Sequence, residues 1–207
     1  MLAAFTSAQA ATATLDNASN NKARVGSIGA QYSAGPLFVS AGYETHREFN
    51  GGGREGDDDG WHVGAAYTWG PVRFGGQYTR QEFEGGTAAL PTDVKYNAYH
   101  FGVDWRIAGP HGLRAAFTRT SNARGTAGAA SPGGLRPGRA LGGASDNGAE
   151  LYQIRYVYTF SKRTEFTGGY VRLNNGDAGT YRLGGLDTAI RGGENQSAVA
   201  FAVRHTF

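Results

Sequence analysis

Hydrophobic and polar residues alternate with a period of two along most of this 207-residue chain. Segment 61–69 (WHVGAAYTW), for example, puts two tryptophans, a tyrosine and a valine on one face and small or polar residues on the other. This alternation is typical of a β-strand with one apolar face. It predicts about ten strands, over residues 2–8, 25–34, 37–46, 61–69, 72–79, 96–106, 113–118, 152–160, 164–174 and 196–207. The two faces of segment 164–174 do not separate cleanly.

The connections between these strands alternate between short turns and long loops. Short turns are predicted at 34–36, 70–71, 108–112 and 161–163, and Gly-rich loops at 9–23, 50–60, 84–93, 122–148 and 175–194. A transmembrane barrel sorts its connections in this way, with short turns on one membrane side and long loops on the other. We therefore predict an all-β fold, an antiparallel transmembrane β-barrel, as one domain over residues 1–207.

The composition of the chain excludes several other classes of protein. The mean hydropathy is −0.43, which is compatible with a barrel because a barrel strand is half polar. No run approaches the ~20 apolar residues of a spanning helix, so helical membrane proteins are excluded. The absence of cysteine excludes a disulfide scaffold. A net charge of +3 with scattered arginines does not indicate a nucleic-acid partner.

Four segments resemble a known family. The terminal segment QSAVAFAVRHTF (196–207) resembles the closing strand of Gram-negative outer-membrane barrels, which ends in Phe and holds the signal read by the barrel-insertion machinery. Segments 32–36 (YSAGP), 41–44 (AGYE) and 156–164 (YVYTFSKRT), with the VRHTF ending, resemble the general diffusion porins of β-proteobacteria. The resemblance implies an outer-membrane location and an insertion signal at Phe201, Val203, His205 and Phe207.

The same resemblance implies a sixteen-stranded barrel that forms homotrimers and narrows its lumen with a loop from the first half. This chain matches only the last ten strands, so we expect either a chain that is incomplete at its N-terminus or a smaller derived barrel. Residues 8–10 (AQA) resemble a signal-peptidase site, but no basic segment precedes them. Strand parity favours a strand at 2–8 instead, because it makes the strand count even.

If the apolar faces meet lipid, the alternate residues line the lumen. The predicted pore-lining residues are Glu44, His62, Arg73, His100, Asp104, Arg106, Arg114, Arg155 and Arg204. Arginines outnumber carboxylates in this set, and fixed positive charge in a water-filled path raises the local anion concentration. We therefore expect a mild preference for anions. The alternative is that these charges pair across strands and satisfy one another.

No motif for catalysis or metal binding emerges. The acidic segment 55–59 lacks EF-hand spacing and is interpreted as a solvated loop. The five histidines have no metal-ligand spacing, and no His/Asp or Ser/His context typical of outer-membrane hydrolases surrounds them. The loop arginines Arg54, Arg124, Arg136 and Arg139 either contact lipopolysaccharide phosphates or keep the loops soluble.

Two functional hypotheses follow. The first is a diffusion pore for small hydrophilic solutes, without catalysis, cofactor or metal, whose partners are outer-membrane lipid, lipopolysaccharide and the barrel-insertion machinery. The second is a small structural or surface-interaction barrel with a lumen plugged by side chains. A closed ten-stranded barrel is only slightly wider than an eight-stranded one, which side chains fill. Small lumenal residues favour the pore.

Overall fold

A computed structural model of the chain describes residues 2–8, 24–47, 58–86, 91–126, 146–184 and 191–207. These residues form one antiparallel sheet. Its strands are β1 (Leu2–Ala8), β2 (Arg24–Ala34), β3 (Leu37–Arg47), β4 (Asp58–Trp69), β5 (Val72–Gly86), β6 (Pro91–Ala108), β7 (His111–Thr120), β8 (Arg124–Gly125), β9 (Ala149–Ser161), β10 (Thr164–Asn175) and β11 (Gln196–His205). Ten of them follow one another in sequence order, and the two-residue β8 pairs only with β6. The all-β antiparallel prediction is confirmed.

Several strands extend into segments that were predicted to be loops. β4 begins at Asp58, β5 continues to Gly86 and β6 begins at Pro91. In these extensions Glu82 lies opposite Lys95 and their side chains form an ion pair of 3.2 Å. Backbone pairing with a neighbouring strand therefore overrides the polar, turn-like local composition. The predicted last strand is also shorter than expected, since Phe207 lies beyond the end of β11.

Three of the four short turns have the dipeptide Gly-Pro. Gly35, Gly70 and Gly109 have φ values of 54°, 54° and 53°, and a proline follows each. Glycine is suited to this left-handed region because it has no Cβ to clash, and proline then returns the chain at its fixed negative φ. The fourth turn instead uses the Ser161 hydroxyl, which accepts hydrogen bonds from the backbone N–H groups of Arg163 and Thr164, both 3.1 Å.

The two faces of the sheet have inverted polarity relative to a soluble protein. Apart from Phe207, the exposed large hydrophobic side chains lie on one face, which we call the outer face; Phe101, 57% exposed, and Phe201, 72% exposed, are examples. The buried side chains Val94, Tyr96 and Leu173 lie on the opposite, inner face. Water would disfavour so large an exposed apolar surface, so lipid is the medium that the outer face fits.

Two belts of aromatic residues border the apolar outer face. At the long-loop end, Tyr78 packs between Trp61 and Tyr99, with centroid separations of 5.2 and 5.1 Å. At the short-turn end, Trp69 and Trp105 occupy the corresponding positions. Trp61 and Trp69 are separated by eight residues, or about 27 Å along the strand, and by roughly 20 Å along the barrel axis after a ~40° tilt. This height approaches the ~25 Å apolar band of outer-membrane barrels.

The sheet of described residues is open. β1 pairs only with β2, and β11 pairs only with β10, so the two ends of the sheet do not meet. In lipid, the free backbone groups along these two edges need hydrogen-bond partners. Within the described segments, no helix has the length and apolar character needed to cross a membrane.

Candidate pore-lining face

Four charged residues from four adjacent strands form one row across the inner face. Arg73 on β5 lies opposite Asp104 on β6, Asp104 lies opposite Arg114 on β7, and Arg114 lies opposite Arg155 on β9. We call this set the basic row. Three arginines and one aspartate give it a net charge of +2.

Only part of this charge is compensated. Arg114 Nε donates to Asp104 Oδ2 at 2.8 Å, whereas Arg155 has no carboxylate partner among the described residues. The Arg73 guanidinium lies 6.0 Å from the ring centroid of Phe38, a cation–π arrangement. Directly opposed like charges such as Arg114 and Arg155 destabilise a sheet. The row therefore retains positive charge at a cost in stability.

Further charge lies nearer the short turns. Arg204 on β11 is directly opposite Glu165 on β10, and Arg106 lies two residues beyond Asp104 on β6, opposite Gly112. Arg106 and Arg204 are exposed. Arg106 and Arg204 thus add two guanidinium groups to the inner face, between the basic row and the short turns.

The histidines of the inner face lie in separate rows. His46 Nε2 and Glu44 Oε1 are 2.7 Å apart, and His100 Nδ1 lies 2.8 Å from Thr118 Oγ1. His62 lies opposite Gly42, where a Cβ would come within 2.5 Å of the imidazole. Gly42 thus makes the space that His62 fills. The register places these three histidines in different cross-strand rows.

The middle of the inner face is lined by small side chains. One row across β4 to β7 contains Ala66, Gly75, Gly102 and Ala116 in succession. The row of Arg155 continues across β10 and β11 as Gly169 and Ala200. Small residues leave volume for solvent beside this part of the wall.

A loop segment after β10, residues 176–184, covers the inner face near the long loops. Its Tyr181 is 5% exposed and packs with Ala149 and Leu173, both of which belong to the inner face. Asn175 holds the segment through both ends of its amide: its Oδ1 accepts from Tyr181 N at 2.9 Å and its Nδ2 donates to Tyr181 O at 3.0 Å. The Gln196 amide also bonds the segment, accepting from Leu183 N at 3.0 Å. This part of the loop therefore lies against the inner wall.

The Tyr181 hydroxyl has an unusual environment. It is buried and has no hydrogen-bond partner among the residues that the structure describes. Burial raises the pKa of Tyr181 to about 12, and the nearby Thr120 hydroxyl, which lowers this pKa, lies outside hydrogen-bonding geometry. The phenol is therefore held neutral by the packing around it.

A family model for Gram-negative porins matches residues 2–178, most of the chain. The chain belongs to this porin family. An outer-membrane location follows from the family and from the outer-membrane proteins that share the fold.

Solved porin structures share the fold. The anion-selective porin from Comamonas acidovorans superposes with a TM-score of 0.76 at 24% identity, over 99% of this chain and 55% of that one. OmpT of Vibrio cholerae, solved in a trimer form, gives a TM-score of 0.62 at 17% identity, over 89% of this chain and 57% of that one. The present chain thus spans little more than half the length of these porins. A comparison with curated proteins finds no match.

The structure places the nine predicted pore-lining residues of this porin chain on the inner face. It brings Arg73, Asp104, Arg114 and Arg155 together and leaves the others in separate rows. Sequence reasoning missed Tyr181; the signal for it is an aromatic residue with two leucines in a loop that is otherwise Gly-rich (GTYRLGGL). The acidic segment 55–57 and the loop residues Arg54, Arg136 and Arg139 lie outside the described residues. In the described part of the chain, no cluster of three or more potential metal ligands occurs.

Proposed function

We propose that this porin forms a water-filled channel for the passive diffusion of small hydrophilic solutes, with a mild preference for anions. The observation that supports it is the basic row, whose +2 charge is held in register on the inner face. Exposed guanidinium groups attract anions and repel cations along a water-filled path. The porin from Comamonas acidovorans, which shares the fold, is anion-selective, and this agrees with the proposed direction.

The loop segment 176–184 has a role in this proposal. Because it rests against the inner wall at the long-loop end, it narrows the outer entrance of the path. The small side chains Gly75, Gly102 and Ala116 keep the middle of the wall open. This combination favours a restricted pore over a lumen filled by side chains.

Single-channel recording in a planar bilayer tests the proposal. We expect steady current steps, and under a salt gradient a reversal potential of the sign that anion flow produces. Current steps whose reversal potential shows no bias toward anions would contradict the proposed anion preference. Silence from protein whose folding and insertion have been verified would instead favour the plugged, surface-interacting barrel.

We further propose that this porin assembles as a homotrimer, since OmpT of Vibrio cholerae, which shares its fold, has been solved in a trimer form. Native mass spectrometry of the detergent-extracted protein measures this directly. A complex three times the subunit mass is expected, and a monomer at the same concentration would contradict it.

The end of the chain supports a role in membrane insertion. Phe201 and Val203 are 72% and 68% exposed on the outer face of β11, and Phe207 lies beyond the strand. We infer that these residues, with His205, form the signal for the barrel-insertion machinery. Phe207 is fully exposed and its ring makes an edge contact with that of His205 at a centroid separation of 4.8 Å. We therefore expect Phe207→Ala to change thermal stability little and to reduce the yield of inserted protein in an outer-membrane assembly assay. Equal yields would exclude Phe207 from the signal.

A further inference from the structure

The middle of the loop segment 176–184 is extended where it crosses the inner wall. The Gln196 side-chain amide bonds two of its backbone groups: Nε2 donates to the carbonyl oxygen of Tyr181 at 3.2 Å, and Oε1 accepts from the N–H of Leu183 at 3.0 Å. The Asn175 amide bonds both the N–H and the carbonyl oxygen of Tyr181. Backbone groups of residues i and i+2 point to the same side in this way in an extended chain, as in a β-strand. We call Asn175 and Gln196 the amide clasp.

Arg182 lies in the middle of this extended stretch. Tyr181 packs against Ala149 and Leu173 of the inner wall, and Leu183 packs against the same cluster. Because successive side chains of an extended chain point in opposite directions, Arg182 projects away from the wall and into the lumen. It is exposed, and it forms no ion pair with a residue that the structure describes. The segment therefore holds an uncompensated guanidinium group over the inner wall.

The start of the segment is fixed at the rim of the sheet. The N–H of Asp177 donates to Oδ2 of Asp146 at 3.0 Å. Gly179 comes so close to the residues before β9 that a Cβ there would lie 2.8 Å from the carbonyl oxygen of Gly148. Asp177 is the other charged residue of the segment, and these contacts hold it at the base, five residues before Arg182. The segment is thus anchored at its base and at its middle.

Arg182 lies at a different depth of the pore from the basic row. Tyr181 packs on Leu173, which is four residues along β10 from Gly169, and Gly169 lies opposite Arg155. Four residues span about 13 Å along a strand, or about 10 Å along the barrel axis after a ~40° tilt. This separation is about one Debye length in 0.1 M salt, so the two levels of charge act nearly independently on a passing ion.

We propose that Arg182 is a specificity-determining residue at the outer entrance of the channel, and that the two residues of the amide clasp position it there. Long loops lie on the external side of outer-membrane barrels, so a solute that enters from outside meets Arg182 before it reaches the basic row. The guanidinium group concentrates anions at this entrance and repels cations. This role rests on the proposed channel function and assigns the outer step of its selectivity to a loop residue.

Reversal potentials of the full 207-residue chain in phosphatidylcholine bilayers under a salt gradient test the role of Arg182. A unit charge ~7 Å from an ion changes the anion-to-cation ratio about threefold in 0.1 M salt, so Arg182→Gln should lower the ratio about threefold and Arg182→Glu about eightfold. Arg182→Lys keeps the charge and should keep the ratio within about 1.5-fold. The matched control is Arg172→Gln, which removes the same charge from the outer face of β10 and should leave the ratio unchanged.

A comparison of combined variants tests the amide clasp. In a chain with Asn175→Ala and Gln196→Ala, Arg182 is no longer held over the entrance. The further change Arg182→Gln should then shift the reversal potential less than about half as much as it does in the unsubstituted chain, because coupled residues have non-additive effects. Circular dichroism verifies that each variant folds. An undiminished shift would overturn the positioning role of the clasp.

The same recordings separate this role of Arg182 from the channel proposal. Equal reversal potentials for the unsubstituted chain and Arg182→Gln, or equal shifts from Arg182→Gln and the Arg172→Gln control, would overturn the role even in an anion-preferring pore. A pore without anion preference would contradict the proposed function, yet a shift toward cations in Arg182→Gln would still support the role. Silence from folded and inserted protein would overturn both.

Discussion

The charge of the basic row makes a quantitative prediction about ion selectivity. A unit charge ~7 Å from an ion contributes about 0.6 kcal/mol in water, and screening in 0.1 M salt reduces this to about 0.3 kcal/mol. An anion gains this energy and a cation loses it, so each net charge changes the local anion-to-cation ratio about threefold. The +2 of the row therefore predicts a ratio of roughly eight.

Two substitutions move this ratio in opposite directions. Arg155→Gln removes an arginine that lacks a carboxylate partner among the described residues and lowers the row to +1, so the expected ratio falls to about three. Asp104→Asn raises the row to +3 and the expected ratio to about twenty. Reversal potentials in phosphatidylcholine bilayers under a salt gradient measure both shifts. In 1 M salt, where the Debye length is about 3 Å, the ratio of the unsubstituted channel should fall below about two.

Arg119→Gln is the matched control, because it changes the total charge equally from the outer face. It should leave the reversal potential unchanged in these neutral lipids. Shifts of the same sign for Arg155→Gln and Asp104→Asn would refute the reasoning. So would a shift from the control as large as that from Arg155→Gln, because selectivity would then follow total charge and not the inner-face row.

Three predictions concern stability, measured by urea unfolding in detergent. Burial raises the pKa of Tyr181 to about 12, so the native state keeps a proton that the unfolded chain releases above its ordinary pKa of about 10. The titration of Tyr181 should lower stability by up to about 3 kcal/mol between about pH 10 and 12, so a Tyr181→Phe variant should show a smaller fall over this range. Gly125→Ala should cost about 2 kcal/mol or more, because φ is 128° and a Cβ would lie 2.1 Å from the Asp93 carbonyl oxygen; Gly184→Ala, with open space around it, is the control. Asn147→Ala should cost about 2 kcal/mol, since the fully buried Asn147 Oδ1 accepts from Ala123 N at 2.6 Å. An unchanged urea midpoint in either of the last two variants would contradict its predicted cost.

Sequence alone was sufficient for the class of fold and for the faces of most strands. A side chain's face depends only on its parity within its own strand, so Trp61 and His62 fall on opposite sides whatever strand lies next to them. The short turns are equally local, because Gly-Pro defines its own backbone geometry at Gly35, Gly70 and Gly109. These signals need no knowledge of distant residues, which is why the barrel architecture and its polarity could be predicted.

Only the tertiary structure decided which residues meet. Asp104 and Arg114 are joined across a tight turn, but Arg114 and Arg155 are brought together across a long loop whose sequence does not specify register. The sequence pattern predicts a loop at the polar ends of β5 and β6, because the strand character of these ends comes only from their pairing with each other. The position of Tyr181 depends on packing against Leu173 on the preceding strand and against Ala149 on β9, and local propensity contains no information about such tertiary contacts. Parity placed each charge on a face, and cross-strand register placed four of these charges in one row.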